Sequence, residues 1–352
     1  MRASVVKKET LQNRNNAFDA VRIVAAVFVM LLHFTGLYRI YGMGGELNEG
    51  IRAVVDFFTP VVLFFSISGY LTAASCERTK STKEYFRKRL FRIYPELWVS
   101  AFANMLMLVV LARDRLDKSF IVWIGTQVLG LAYTPGCLKE FASGSANGVL
   151  WTVAVLLQLY VLIRVFYRQL RNLTTGQWLI LIAALEAVNL LCYKVTGGSA
   201  YGTAGKIIER LCIPYMVWFA VGAMLYFKGK NILTRKGAAA IFAVCFGVRI
   251  LTIVFKLPDP GYYSGCIKGL CSAFAAVAAA YMLPPVTVRK DITYGLYLNQ
   301  WMILNLLIYT KLMGSSSYFL PLAVYLAATV LISIFTRFAA GRITPLLNRL
   351  IP

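Results

Sequence analysis

Two polar residues eleven apart in an otherwise apolar stretch, Arg22 and His33, are the first candidates for chemistry in this chain. On an α-helix that separation is three turns plus about 20°, so both project from one face, about 16 Å apart along the axis. They cannot touch, but they can line one channel. His33 is the single histidine, and imidazole is the side chain whose ordinary pKa lies near neutrality. A general base and a polar group hydrogen-bonded between helices are both open readings of it. Asp19, one helical turn before Arg22, can pair with it at i, i+3, as an interfacial anchor or as part of a reaction centre. Asp56 lies near the outer end of the next apolar stretch, at about the depth of His33; it can orient that imidazole or remain an interfacial carboxylate.

A second cluster is basic. Arg89 and Arg92 are three apart on one helix face beside Arg87 and Lys88, at the boundary of the third apolar stretch. Guanidinium forks suit phosphates, which they grip through paired hydrogen bonds. Arg87 and Lys88 are accounted for by loop charge alone; Arg92, followed by apolar residues, is less so. The seven cysteines show no CxxC spacing and read as small apolar fillers, and no Cys/His cluster has metal-ligand spacing, so no metal site is expected.

The elements that must position these residues follow from composition. The chain has 352 residues, 59% hydrophobic and 15% charged, with a mean hydropathy of +0.66, against about 25% charged in a soluble globular chain. An ordinary water-soluble domain is excluded. Formal net charge is +22, which in so apolar a chain points to membrane topology and not to nucleic acid. Stretches of about 20 apolar residues, enough to cross a bilayer, occur near 17–38, 51–75, 90–112, 149–167, 177–196, 206–227, 236–256, 267–288, 292–312 and 318–339. The first reads as a retained signal anchor. A shorter run at 119–134 fits a re-entrant or interfacial helix.

With ten spans and the N-terminus inside, every inner segment is basic: Arg2, Lys7, Lys8 and Arg14; residues 78–89; Arg168 and Arg171; residues 228–236; Arg289 and Lys290; Arg342 and Arg349. An eleventh crossing would invert every later loop. The expected fold is all-α: a polytopic membrane bundle of about ten transmembrane helices forming one domain over residues 1–352, with both termini cytoplasmic. Small residues at Ser66, Ser68 and Gly69 mark a close helix contact.

These segments together resemble the integral membrane acyltransferases of the acyltransferase-3 family, which move acyl groups, commonly acetyl, onto sugars of envelope glycans. The resemblance rests on Phe18, Asp19, Arg22 and His33, an Arg-x10-His pattern; Phe64-Phe65-Ser66-Ile67-Ser68-Gly69-Tyr70; Arg89, Arg92 and Pro95; Trp151 and Thr152 through Gln158 and Tyr160; and Tyr294 through Leu298. The chain departs from the family pattern at Leu156, where a glutamate is usual, and at Gln300, where a histidine is usual.

The resemblance implies a reaction centre of His33, Arg22 and Asp19. It also implies a cytoplasmic acyl-CoA, taken as acetyl-CoA, held by Arg89 and Arg92 as donor substrate, with no permanently bound cofactor. Acceptor contacts are assigned to Asp56, Trp151, Gln158, Tyr297 and Gln300. The expected partners are acyl-CoA, a glycan or lipid-linked sugar, and the bilayer of a bacterial plasma membrane, with no nucleic acid. The expected activity is O-acylation of a cell-surface polysaccharide. Leu156 and Gln300 motivate an alternative: a catalytically impaired member that binds or translocates a glycan.

Overall fold

The structure, a computed structural model, describes residues 16–41, 44–198, 202–286, 288 and 291–350. Among the sequence positions above, Arg2, Lys7, Lys8, Arg14, Arg289 and Lys290 lie outside the described residues, as does the side chain of Arg349. Every regular element among the described residues is helical: α1 (Phe18–Ile40), α2 (Glu46–Val55), α3 (Pro60–Arg78), α4 (Thr82–Leu111), α5 (Ser119–Leu129), α6 (Trp151–Val165), α7 (Tyr167–Asn172), α8 (Thr175–Thr196), α9 (Gly202–Arg210), α10 (Met216–Lys228), α11 (Arg235–Val254), α12 (Cys266–Met282), α13 (Thr293–Tyr309) and α14 (Phe319–Leu350), with short 3-10 turns between some of them.

Each apolar stretch of the sequence carries a helix, but length separates them. Among the described residues, six segments are long and apolar enough to cross a membrane: Phe18–Ile40, Glu46–Arg78, Thr82–Leu111, Thr175–Thr196, Arg235–Val254 and Phe319–Leu347. A seventh is added if Ala204–Arg210 and Ile213–Lys228, bent by 56° at their break, form one span. Helices α6, α12 and α13 have 15, 17 and 17 residues. At 1.5 Å per residue they reach about 22 to 26 Å, short of a hydrocarbon core of about 30 Å. Helix length and composition thus support six or seven spans where about ten were expected. The run at 119–134 folds as α5, only 11 residues, stopped by Gly130 in the left-handed conformation at φ 76°.

Helix ends are written in the sequence. Pro60 opens α3 at a position where no N–H is required. Thr174 and Gln177 form a reciprocal capping box on α8. The Asp259 carboxylate accepts from Ile267 N–H at 2.7 Å and Lys268 N–H at 2.9 Å, closing the start of α12.

The chain groups into two compact units: one takes the residues up to Ala25, Asp56–Lys80 and Leu156–Asp291, the other Ala26–Val55, Ser81–Val155 and the residues from Ile292 on. In the first, α3 packs on α10 so closely that a Cβ on Gly69 or Gly222 would overlap the backbone carbonyl of the facing helix. The Ser66 hydroxyl ties α3 to α12 by donating to the Ala273 carbonyl at 2.6 Å.

The second unit is seamed by buried polar groups. Asn299 Nδ2 donates to Thr336 Oγ1 at 3.1 Å, joining α13 to α14. Asn305 accepts from Ser143 Oγ at 2.6 Å and donates to the Ser145 carbonyl at 2.9 Å. An interhelical bond such as Asn299–Thr336 contributes about 0.6 kcal/mol on average in a membrane, where hydrophobic burial does not discriminate between helix and lipid.

Candidate functional site

His33 projects from α1 within the second unit. Its Nδ1 lies 3.0 Å from Gln300 Oε1. The amide is oriented by two further contacts: Gln300 Nε2 donates to the Tyr297 carbonyl at 3.1 Å, and Tyr325 O–H, 3.2 Å from Oε1, donates toward it. With Nε2 spent on a carbonyl, the atom facing His33 is an acceptor, so Nδ1 carries the proton and Nε2 keeps its lone pair. This is the tautomer a general base needs, fixed by the bond the other ring nitrogen makes. The Trp301 ring stands edge-on to the imidazole, centroids 5.0 Å apart. Trp301 is held in turn by Nε1–H donating to the Ser145 carbonyl at 3.0 Å, with Gly148 against its ring.

Arg22 and Asp19 lie in the first unit. Arg22 Nη1 donates to Asp291 Oδ2 at 2.8 Å, while its distance to Asp19 Oδ1 is 3.9 Å. The dominant partner is therefore 269 residues away in sequence and not the one at i−3. Asp19 also accepts from Val288 N–H at 3.3 Å.

At the start of α4, Arg92 shares one face of the helix with Glu84, Arg87, Lys88 and Phe91. Arg89 instead packs over the Tyr85 ring, 5.7 Å from its centroid. The basic surface of this turn thus combines Arg92 with Arg87 and Lys88, and Lys88 is paired with Glu84 at 2.6 Å.

The acceptor-side candidates fall in different places. Asp56 pairs with Lys268 at 2.7 Å in the first unit, so the contact orienting His33 comes from Gln300. Gln158 uses both ends of its amide on backbone, donating to the Arg210 carbonyl at 2.7 Å and accepting from Cys212 N–H at 3.0 Å. Tyr297 O–H lies 2.7 Å from Thr152 Oγ1 and 3.1 Å from the Val149 carbonyl, tying α13 to the start of α6. Trp151 is 9% exposed. Gln300 is the member of this group that bonds His33.

Two residues were missed. Tyr325, fully buried, steadies both Gln300 and the Met30 carbonyl. Glu96, 2% exposed, pairs with Arg337 at 3.6 Å. An ionisable residue just inside the third apolar stretch was a readable signal for Glu96; Tyr325, one tyrosine among 20, carried none.

The acyltransferase-domain profile of the acyltransferase-3 family matches residues 15–338. The chain is 27% identical over 325 residues to "Nodulation protein 10" of Rhizobium leguminosarum bv. viciae, covering 84% of each chain. It is 23% identical over 334 residues to an "O-acetyl transferase" of Shigella phage Sf6, covering 91% of this chain and 92% of that one. No solved structure matches. The chain belongs to the acyltransferase-3 family, and with its several long apolar helices it is a multi-pass membrane acyltransferase.

Proposed function

We propose that this chain transfers an acetyl group from acetyl-CoA to a hydroxyl of an envelope glycan, with His33 as general base. The observation that carries this reading is the His33–Gln300–Tyr325 contact set, which leaves Nε2 unprotonated and ready to accept a proton. As the acceptor hydroxyl oxygen attacks the thioester carbonyl, its proton passes to Nε2. The C–S bond then breaks, and the departing thiolate takes that proton as CoA leaves. Donor phosphates are assigned to the basic face of α4, with Arg92 and its neighbours Arg87 and Lys88 as the gripping charges and Arg89 alongside. Arg22, held by Asp291, is a fixed positive charge in the first unit.

The ten-span topology with cytoplasmic termini, in a bacterial plasma membrane, belongs to the same proposal. It is supported by the basic inner segments of the sequence and requires the short α6, α12 and α13 to cross where the bilayer thins or they are sheltered by neighbours.

The competing reading, a noncatalytic glycan binder, draws on the neutral amide at Gln300, which stands where a charged orienting group would strengthen the base. The test is incubation of the reconstituted protein with [acetyl-labelled] acetyl-CoA and a host membrane and glycan extract. Alkali-labile label in the glycan fraction is expected. Binding of glycan without any label transfer would establish the noncatalytic reading instead.

A further inference from the structure

The C-terminal part of α1 carries a neighbouring cation to which no role has been given. Helix α2 meets α1 there, and Asn48, 1% exposed, fixes the contact: its Nδ2 donates to the Thr35 carbonyl at 3.1 Å, and its Oδ1 accepts from Tyr318 O–H at 3.2 Å. Arg52 is one helical turn beyond Asn48 on the same face of α2, so the bonds that fix Asn48 also aim Arg52 at α1. Arg52 Nη1 arrives over Gly36, 3.2 Å from where a Cβ would stand. The missing side chain is what lets the guanidinium come so close.

Gly36 is one turn from His33 on the same face of α1, so the Arg52 charge stands near the imidazole and acts on it electrostatically. All these residues belong to the second unit. Among the described residues no carboxylate pairs with Arg52 and no hydrogen bond takes up its donors; Asp56, four residues on, is held by Lys268. The Arg52 side chain is partly exposed, so those donors are open to a ligand. A cation in this place works against a base acting alone. His33 becomes positive as it takes a proton, and a second positive charge nearby opposes that change. The opposition is relieved when a negative charge forms between the two.

Attack on a thioester supplies that charge. The hydroxyl oxygen bonds the carbonyl carbon, the C=O π pair moves onto the carbonyl oxygen, and the hydroxyl proton goes to His33 Nε2. Collapse restores the C=O bond and breaks the C–S bond, and the thiolate takes the proton from His33. With the hydroxyl about 3 Å from the base and the carbonyl about 3 Å from the hydroxyl, the oxyanion forms about 4 to 6 Å from the imidazole. That is comparable to the one-turn offset between His33 and Gly36. We propose that Arg52 is a catalytic residue: its guanidinium donates to the thioester carbonyl oxygen and stabilises the oxyanion formed there as His33 takes the proton. The inference rests on the transfer reading above and deepens it. A guanidinium also suits a carboxylate on an acidic acceptor, and the test separates the two.

The experiment measures kcat and both KM values for labelled acetyl transfer by the full-length protein in liposomes, with acetyl-CoA binding in parallel. Host glycan extract, separated into neutral and acidic fractions, supplies the acceptor. Arg52→Gln is expected to lower kcat about 10²- to 10³-fold with either fraction, at unchanged donor affinity and acceptor KM. Arg52→Lys, which keeps the charge but not the fork, is expected to recover part of the loss. Gly36→Val keeps the arginine and blocks its seat. It is expected to lower kcat at least tenfold alone and to cost nothing further in the Arg52→Gln background, a pattern that general loss of folding does not give. An unaltered kcat in Arg52→Gln, with wild-type transfer intact, overturns the role of Arg52 and leaves the transfer reading standing. A rise in acceptor KM confined to the acidic fraction overturns it in favour of acceptor binding. Absence of transfer by the wild type overturns both.

Discussion

Replacing Gln300 by Leu isolates the contribution of one hydrogen bond to the base. The substitution keeps the volume of the stem but removes the acceptor 3.0 Å from His33 Nδ1. Tyr325 retains the Met30 carbonyl at 3.2 Å, so the deficit falls on the imidazole. A neutral hydrogen bond contributes about 0.5 to 1.5 kcal/mol net, and a buried donor left without a partner costs about 1 to 3 kcal/mol. If about 1 to 3 kcal/mol is withdrawn from the productive tautomer and ring orientation, kcat falls about 5- to 150-fold. Complete loss of the base in His33→Ala costs about 10²- to 10⁴-fold, so the Leu variant falls between wild type and His33→Ala. The assay is steady-state transfer of labelled acetyl in liposomes, separating kcat from the KM of the donor, which should not change. Gln300→Glu restores an acceptor on a stem of the same length and should recover most of the rate. In the His33→Ala background, Gln300→Leu should cost nothing further, because its effect travels through the imidazole. A full additional loss in the double variant, or an unaltered kcat in the single one, refutes the reasoning.

Other consequences are equally specific. Joint charge reversal of Arg87 and Arg92 should raise the donor KM at least tenfold with kcat little changed, measured by the same assay, because these cations stand on the basic face of α4 and lie outside the His33 contact set. Gly69→Val should prevent the α3–α10 contact from closing, since its Cβ would overlap the Phe219 carbonyl; the expected result is loss of the cooperative melting transition of the detergent-solubilised protein, with Ser68→Val as the milder comparison. Gln158→Leu should destabilise the protein by about 1 to 3 kcal/mol, having stripped the Arg210 carbonyl and Cys212 N–H of their partners. Acceptor preference should be unaltered in that variant, and a changed acceptor profile would return Gln158 to the substrate.

The parts of this account readable in the sequence are those governed by local pattern. Apolar runs place the helices, Pro60 and Thr174 mark starts, and the eleven-residue spacing puts Arg22 and His33 on a single unbroken α1. Partner choice was not readable. Asp19 was the visible candidate for Arg22 because it lies one turn away, yet Asp291 holds the shorter bond. Asp56 was a candidate for His33 by depth, yet it pairs with Lys268, and an uncharged Gln300 takes the imidazole. Periodicity says which face a residue occupies; it does not say which distant helix meets that face. Helix length among the described residues supports fewer spans than hydropathy marks, for a related reason. Apolar composition marks α6, α12 and α13 as well as it marks α1, but their ends come early, and helix length is set by caps and by packing as much as by hydropathy.

The central claim is that the His33 imidazole accepts the proton of the attacking hydroxyl. Its most direct measurement compares wild type and His33→Ala for acetyl transfer to glycan and, in parallel, for binding of acetyl-CoA by the same reconstituted preparations. The account predicts that transfer falls by about 10²- to 10⁴-fold while donor affinity is retained. Undiminished transfer by His33→Ala would contradict it.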